Sequence, residues 1–142
     1  MCGIIGYKGS ESPTPLVFNG LKNLEYRGYD SWGITFLQGK HLKTHKKVGK
    51  IANFSLKSLP GGSGAAIGHT RWATHGGVSA RNAHPILSRN KEIAVAHNGI
   101  IENYVELGAG LKKKGFMFMT ETDTEVIPML IEEGMEKGLV FF

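Results

Sequence analysis

The first part of the chain changes from strand-like to helix-like spacing of its apolar residues. Residues 3–7 form a short, β-branched apolar run, which is typical of a buried strand. Residues 10–15 contain serines and prolines that break this run and begin a helix, and apolar residues then recur at helical spacing from 16 to 24. The pattern therefore predicts a strand and then an amphipathic helix, which ends at residues 27–29.

The next segments predict a hairpin and a short helix. Residues 34–37 and 42–48 have the composition of strands, and the turn at 38–40 (QGK) would join them into a hairpin. Residues 51–59 predict a short helix, which the glycine-rich break at 60–64 ends.

The central segments predict two more buried strands, at 65–73 and 93–97, with a polar loop at 75–85 between them. Residues 102–114 predict an amphipathic helix, and Gly115 is a suitable C-terminal stop for it.

The last segments predict a strand at 116–119 and a helix that Thr122 or Asp123 caps. We expect the inner face of this helix to carry Val126, Ile127, Leu130 and Ile131. The apolar ending at 139–142 has the character of another strand. Helices mixed with hairpin-joined strands favour an α+β domain whose sheet is largely antiparallel.

Composition limits the classes of function. The 142 residues are 41% apolar and 20% charged, as expected of one globular domain. The net charge is +5, but the basic clusters at 43–50 and 112–114 have no interleaved aromatic residues, so we expect no nucleic-acid binding. The chain has neither a secretion signal at its start nor an apolar stretch of about 18 residues, so we also expect no membrane association.

The single cysteine, Cys2, has the potential for nucleophilic chemistry. With one cysteine no internal disulfide can form, which favours a reducing compartment such as the cytoplasm. Removal of Met1 would leave a thiol and a free α-amine on the same residue, with unperturbed pKa values of about 8.5 and about 8. The amine could then accept the proton of the thiol. A lone cysteine is more often an inert apolar residue, and the rest of the sequence must decide.

Neither the histidines nor the glycine-rich break predicts a cofactor site. His69 and His75 are six residues apart, and His41 and His45 share a predicted strand with no carboxylate cluster nearby. Residues 61–66 lack the Lys-Ser/Thr ending of a phosphate-binding loop. We therefore expect no metal and no cofactor.

Several segments are more polar or richer in glycine than their places in the predicted elements require. They are CGIIGY at 2–7, LEYRGYDS at 24–31, HTRWATHG at 69–76, NAHP at 82–85, HNGIIEN at 97–103 and TETDTEV at 120–126. Together they resemble the glutaminase domain of class II (type 2) glutamine amidotransferases, from Cys2 to about Lys137. Within this family the motifs are most similar to those of the glucosamine-6-phosphate synthases. Amidophosphoribosyltransferases typically have RGQ and HxRYST at the corresponding places, and asparagine synthetases typically have HRGPD.

The resemblance implies the N-terminal nucleophile (Ntn) hydrolase fold, an αββα sandwich of antiparallel sheets between helix layers. It also implies that residues 1–142 are the N-terminal portion of the glutaminase domain. Further strands of the second sheet and a sugar-phosphate isomerase domain, which follow in the family, are absent from this sequence. The sandwich would therefore be incomplete at the C-terminus. Trp32, Gly108 and Gly110 depart from the residues usual in the family and put local packing in doubt, but not the site.

The resemblance assigns the catalytic roles. Amide hydrolysis by a thiolate passes through a tetrahedral oxyanion, which needs two hydrogen-bond donors. By resemblance, Cys2 is the nucleophile and the Asn98 side chain and the Gly99 N–H are these donors, although Asn-Gly is also typical of a hairpin turn. His97 is expected to orient the Asn98 corner. Arg27 is expected to support the nucleophile, and an ordinary structural ion pair is nearly as good an interpretation for it.

The resemblance also assigns the recognition of free glutamine. Arg71 would bind the α-carboxylate and Asp123 the α-ammonium, although Arg71 could be a surface residue and Asp123 a helix N-cap. Trp72, Thr74 and His75 would form the pocket wall and backbone contacts.

The implied activity is the hydrolysis of L-glutamine to glutamate and ammonia, as the ammonia-supplying half of glucosamine 6-phosphate synthesis from fructose 6-phosphate. The implied partners are L-glutamine and the sugar-phosphate isomerase domain or subunit, and a homodimer with a second copy of the chain stays open. Two alternatives stay open at this point: a catalytically silent glutamine-binding or assembly module, and the glutaminase part of another amidotransferase such as amidophosphoribosyltransferase.

Overall fold

The computed structural model describes residues 2–73 and 76–140. Its main sheet has four strands, β1 (Gly3–Lys8), β2 (Ser31–Gln38), β3 (His41–Val48) and β4 (Ala65–Arg71). Their order is β1-β4-β2-β3, and each neighbouring pair is antiparallel. The predicted hairpin is β2–β3, and the predicted strands at 3–7 and 65–73 are β1 and β4.

Helix α1 (Pro13–Leu24) covers one face of this sheet. Prolines in its first turn cost no hydrogen bond, and its apolar stripe buries Val17, Phe18 and Leu21. The stripe packs on Trp32, Ile34 and Phe36 of β2. Trp32 is only 1% exposed and meets the Phe18 ring edge-on at 5.9 Å, so this departure from the family is accommodated in the core.

The opposite face of the sheet carries a second layer. The strands β5 (Ile86–Leu87) and β6 (Ala94–Val95) form a two-stranded antiparallel ladder. The segment before β5 lies directly on the main sheet, because a Cβ on Gly33 would be 2.3 Å from the carbonyl oxygen of His84. Helices α2 (Tyr104–Lys113) and α3 (Val126–Glu136) enclose a second apolar core around Leu111, Phe116, Val126 and Met129. The α+β class with antiparallel sheets is thus confirmed.

Three predicted elements were wrong or too long. Residues 51–59 form two 3₁₀ turns, Ile51–Asn53 and Leu56–Ser58, whose side chains reach the core at irregular spacing. The predicted strand at 93–97 shortens to β6 because its partner β5 has only two residues. Residues 116–119 form no strand: Phe116 and Phe118 turn inward, and the N–H of Met119 binds the Glu125 carboxylate instead of a neighbouring strand.

The predicted inner face of α3 was also partly wrong. Val126 is buried, but Leu130 is 37% exposed, and Glu132 and Glu133 are buried. Charged partners make this possible: Arg89 Nε donates to Glu132 at 3.1 Å, and Lys114 Nζ donates to Glu133 at 2.6 Å. Of the predicted tail strand at 139–142, residues 139 and 140 form no strand, and residues 141 and 142 lie outside the described ranges.

Within the described ranges, no helix is long and apolar enough to cross a membrane.

Candidate active site

Most of the predicted site residues line one cavity of about 410 Å³ between β4, the segment after β6 and the start of α3. This volume is within the usual range for small-molecule sites. The predicted residues on its wall are Cys2, Arg27, Arg71, Trp72, His97, Asn98, Gly99 and Asp123. Thr74 and His75 lie outside the described residues.

Strand pairing places Cys2 at this cavity. Gly3, the first residue of β1, pairs with Thr70 of β4, and its N–H donates to Thr70 Oγ1 at 3.2 Å. Cys2 therefore lies beside the C-terminal end of β4. There its Sγ accepts a hydrogen bond from the Trp72 N–H at 3.2 Å. This contact fixes the position of the sulfur relative to the loop after β4.

Residues of the YRGYDS segment hold the loop after β4 in place. The N–H of Asp30 donates to the Arg71 carbonyl at 3.2 Å, and the Asp30 carboxylate accepts the Ala73 N–H. A Cβ on Gly28 would be 2.7 Å from the carbonyl carbon of Arg71, so only glycine allows this approach. Asp30 was not among the predicted site residues; its place in the motif was the only signal, because its partner lies 43 residues away.

Asn98 and Gly99 form a corner directly beside Cys2. Asn98 Nδ2 donates to the Cys2 carbonyl oxygen at 3.1 Å. Gly99 has a φ of +153°, and a Cβ there would lie 2.9 Å from Nε2 of His97. The chain continues into α2 rather than into a returning strand, so the corner is not a hairpin turn.

Arg71 and Asp123 bring opposite charges to the cavity. Arg71 is 4% exposed, and its guanidinium donates to the carbonyls of Gly77 and Gly76 at 3.3 and 3.4 Å. Asp123 is 5% exposed; one carboxylate oxygen accepts the Ile101 N–H at 2.7 Å. A guanidinium and a carboxylate at one cavity can together bind a zwitterion such as a free amino acid.

The predicted cap of the last helix was wrong. Neither Thr122 nor Asp123 makes a side-chain capping bond, because a 3₁₀ turn, Asp123–Glu125, precedes α3. Asp123 Oδ1 accepts hydrogen bonds from the adjacent Thr124 N–H at 2.9 Å and the Thr124 hydroxyl at 3.5 Å, and its other oxygen accepts the Ile101 N–H. The carboxylate of Glu125 binds the backbone N–H groups of Met119 and Thr120.

A group of buried histidines lies under the corner. His69 Nε2 contacts Asn98 Oδ1 at 2.8 Å, and the His69 and His84 rings are 4.5 Å apart. The pKa of His69 is lowered to about 4, mainly by burial; the hydrogen bond to Asn98 opposes this effect, and Arg71 adds to it. Burial, together with repulsion from His69 and Arg71, lowers the pKa of His84 to about 2. Both rings are therefore neutral near neutral pH.

His97 contacts Thr124 rather than the Asn98 side chain. Its Nδ1 is 3.3 Å from Thr124 Oγ1, and its backbone N–H donates to His84 Nδ1 at 3.4 Å. The direct neighbour of the Asn98 amide is His69, to which sequence reasoning gave no role. Its position in HTRWATHG was the only signal. The supporting role of His97 stays a prediction.

The two remaining predicted residues lie at the rim of the cavity. Arg27 donates from Nε to the Tyr26 hydroxyl at 3.1 Å and forms no ion pair with a carboxylate of residues 2–73 or 76–140. Trp72 is 46% exposed and meets Tyr29 edge-on at 5.1 Å. In the same ranges, no group of three or more His, Cys, Asp or Glu side chains is arranged to hold a metal ion.

Comparison with curated proteins identifies close relatives. Glutamine–fructose-6-phosphate aminotransferases (isomerizing) from Symbiobacterium thermophilum and Methanococcus maripaludis are 49% and 52% identical over 142 and 137 residues. These alignments cover 99% and 94% of this chain but only 23% and 22% of the relatives. The chain thus spans less than a quarter of the length of these enzymes.

Solved structures share the fold. A glutamine phosphoribosylpyrophosphate amidotransferase from B. subtilis, complexed with ADP and GMP, superposes with a TM-score of 0.76 and 34% identity, over 93% of this chain and 29% of that one. An allosteric regulatory enzyme of purine biosynthesis gives a TM-score of 0.77 and 35% identity, over the same shares. The fold is therefore that of the Ntn-type glutamine amidotransferases, as the sequence motifs implied.

The family model described as the glutamine amidotransferase domain matches residues 59–140, which is more than half of the chain. This segment includes Arg71, Asn98, Gly99 and Asp123, and β1 adds Cys2 to the same cavity. The chain belongs to the glutamine amidotransferase domain family.

Proposed function

We propose that this chain hydrolyses the side-chain amide of L-glutamine to glutamate and ammonia, with Cys2 as an N-terminal nucleophile. The observation that carries the proposal is the meeting of Cys2, Asn98, Arg71 and Asp123 at one cavity of about 410 Å³. Each of the three groups that the chemistry needs is present there: a nucleophile, a donor for the oxyanion and a pair of opposite charges for the amino acid.

The reaction begins after removal of Met1. The α-amine of Cys2 takes the proton from Sγ, and the thiolate attacks the amide carbon of the glutamine side chain. The carbonyl oxygen becomes an oxyanion, to which the Asn98 side-chain amide and the Gly99 N–H donate. The protonated α-amine then gives its proton to the leaving nitrogen, ammonia departs, and a γ-glutamyl thioester remains. Water hydrolyses the thioester to glutamate and restores the thiol.

Substrate binding relies on two buried charges. The Arg71 guanidinium binds the α-carboxylate of glutamine, and Asp123 binds the α-ammonium. Both side chains are at least 95% buried, so their attraction for the substrate is screened less than it would be at the surface. Trp72 forms part of the pocket wall, and Arg27 supports its rim. The roles of Thr74 and His75 in the pocket wall and backbone contacts stay predictions from the family resemblance.

We also propose that the ammonia serves glucosamine 6-phosphate synthesis from fructose 6-phosphate, through a sugar-phosphate isomerase domain or subunit. The support is the similarity to the glutamine–fructose-6-phosphate aminotransferases: their identity of 49% and 52% exceeds the 34% identity to the phosphoribosylpyrophosphate amidotransferase. The chain would be the N-terminal portion of a glutaminase domain. Its compartment would be the cytoplasm, because Cys2 stays reduced there.

Glutamate production tests the activity. The Met1-free protein is incubated with glutamine, and glutamate and ammonia are measured in parallel with a Cys2→Ala control. The proposal expects equal amounts of both products from the parent protein and none from Cys2→Ala. Product formation by Cys2→Ala at the parental rate would contradict it.

A glutamine-binding module without catalysis makes a different prediction. It would be stabilised by glutamine in a thermal melt, as any ligand stabilises the state that binds it, but it would form no glutamate. Thermal stabilisation by glutamine without formation of glutamate would therefore favour the silent binding module over the enzyme.

A further inference from the structure

We infer that His69 is a positioning residue: its Nε2–H holds the Asn98 side-chain amide so that the amide nitrogen faces Cys2 and the developing oxyanion. The inference deepens the proposed function and rests on it for its catalytic consequence. His69 lines the same cavity, but its Nε2 contacts Asn98 Oδ1, and it acts through that residue.

The two ends of the Asn98 amide have different partners. Oδ1 lies 2.8 Å from His69 Nε2, and Nδ2 donates to the Cys2 carbonyl oxygen at 3.1 Å. Reversing the amide would put its oxygen against the Cys2 carbonyl oxygen, which is acceptor against acceptor, and its NH₂ group against His69. The Cys2 carbonyl thus determines the orientation of the amide, and that orientation requires a donor at His69 Nε2.

The surroundings of the His69 ring agree with a proton on Nε2. The competing tautomer carries its proton on Nδ1 and would need an acceptor there. The His97 backbone lies close enough to raise the pKa of the ring, but Nδ1 makes no hydrogen bond of normal geometry to any residue in the described ranges. A buried N–H without a partner is rarer than a buried acceptor without one, so the tautomer with Nε2–H is favoured.

The ring is held rigidly and stays neutral. His69 is 1% exposed and stacks on His84 at a centroid distance of 4.5 Å. Burial, with Arg71 nearby, keeps its pKa at about 4 against the opposing effects of Asn98, the His97 backbone and Asp30. Near neutral pH, His69 Nε2–H therefore points at Asn98 Oδ1 in one fixed direction.

The orientation of the Asn98 amide matters because its nitrogen carries two hydrogens. One points to the Cys2 carbonyl, and the second is free to face the oxyanion that forms next to Sγ. A donor stabilises a transition state only when it is aimed before the reaction, and a misplacement of about 1 Å can cost about 100-fold in rate. Without His69, the Asn98 amide can rotate away.

The kinetic test compares two substitutions at the same residue. His69→Leu removes the donor but keeps an apolar side chain, whereas His69→Gln places an amide N–H close to the position of Nε2. We expect His69→Leu to lower kcat for glutamine hydrolysis by about 10- to 100-fold with KM unchanged, because the oxyanion exists only in the transition state. His69→Gln should recover most of kcat. The exposed His41 of β3 provides the matched control, His41→Leu, with parental kinetics.

Three kinetic results would overturn the inference. They are a parental kcat in His69→Leu, a loss confined to KM, or an equal loss of kcat in the Leu and Gln variants. The melting temperatures of all variants show whether a change in kcat or KM is caused by unfolding instead. If His69→Leu does not fold, the comparison of His69→Gln with the parent protein and the NMR measurement below still decide.

A measurement without any substrate separates this inference from the proposed function. The ¹⁵N NMR shifts of the His69 ring at pH 7 should show a protonated Nε2 and an unprotonated Nδ1. The reverse pattern, or a doubly protonated ring, would overturn the inference even in an active enzyme. A parent protein that forms no glutamate would defeat the proposed function, while the tautomer would still decide whether His69 holds the Asn98 amide.

Discussion

The buried histidines predict a steep loss of stability in mild acid. His69 and His84 are 1% and 5% exposed, and their pKa values are lowered to about 4 and about 2. In the unfolded chain both would titrate near pH 6.5. Below pH 6.5 the unfolded state therefore binds more protons than the native state, so stability rises with pH in this window. The stabilisation is fully present above pH 6.5 and is lost as the pH falls towards the pKa of the folded state.

The size of the effect follows from these values. Each histidine should change the free energy of unfolding by about 1.4 kcal/mol per pH unit inside the window. Between pH 7 and pH 5 this amounts to about 2 kcal/mol for each ring and about 4 kcal/mol for both. Domains of this kind have a total stability of only about 5 to 15 kcal/mol, so the change is large enough to measure.

Urea unfolding at pH 7 and pH 5 provides the assay. The parent protein is compared with His69→Gln and His84→Gln, and with His41→Gln as the exposed control. Each buried substitution should reduce the loss between the two pH values by about 2 kcal/mol, because one titrating ring is gone. The control should keep the parental loss. An unchanged pH dependence in both buried variants would refute the assignment of the effect to these rings.

Three other substitutions test the site and its support. Asn98→Ala should lower kcat for glutamine by about 10²- to 10³-fold with little change in KM, and a change in KM alone would contradict an oxyanion role. Arg71→Lys should raise KM by about tenfold in steady-state kinetics, because an ammonium cannot replace the two-pronged guanidinium contact; a parental KM would exclude carboxylate binding there. Gly28→Ala should lower the melting temperature, since its Cβ would lie 2.7 Å from the Arg71 backbone, whereas the control Gly110→Ala, with open space in α2, should raise it by the equivalent of about 1 kcal/mol. Equal shifts in these two glycine variants would contradict the close approach at Gly28.

The elements that the sequence predicted well are those whose side chains bury a regular apolar pattern. Helix α1 and strands β1, β2 and β4 share one core, and their periodicity reflects it directly. Two of the errors, at 116–119 and on the inner face of α3, occur where a polar partner replaces an apolar neighbour. Glu132 and Glu133 are buried because Arg89 and Lys114 neutralise them, so α3 turns a different face inward than hydrophobicity alone indicates.

The candidate site likewise combines residues that the sequence predicted with residues whose roles only the folded chain shows. Cys2, Asn98, Arg71 and Asp123 could be proposed from the sequence because they lie in motifs that resemble one family. Asp30 carries no signal of its own, since its role depends on the backbone of a loop that only the folded chain brings near. His69, likewise, gains its importance from Asn98, which is 29 residues away in the sequence.

The most direct test of the central claim is labelling of Cys2 by a glutamine-mimicking electrophile, followed by intact-mass and peptide mass spectrometry. We expect one adduct per Met1-free chain, located on Cys2, and slower labelling when glutamine is added as a competitor. We expect no such labelling of protein that retains Met1, because the free α-amine is then on the wrong residue. If folded, Met1-free protein forms no adduct, or if protein that retains Met1 is labelled at Cys2 equally fast, Cys2 is not an N-terminal nucleophile.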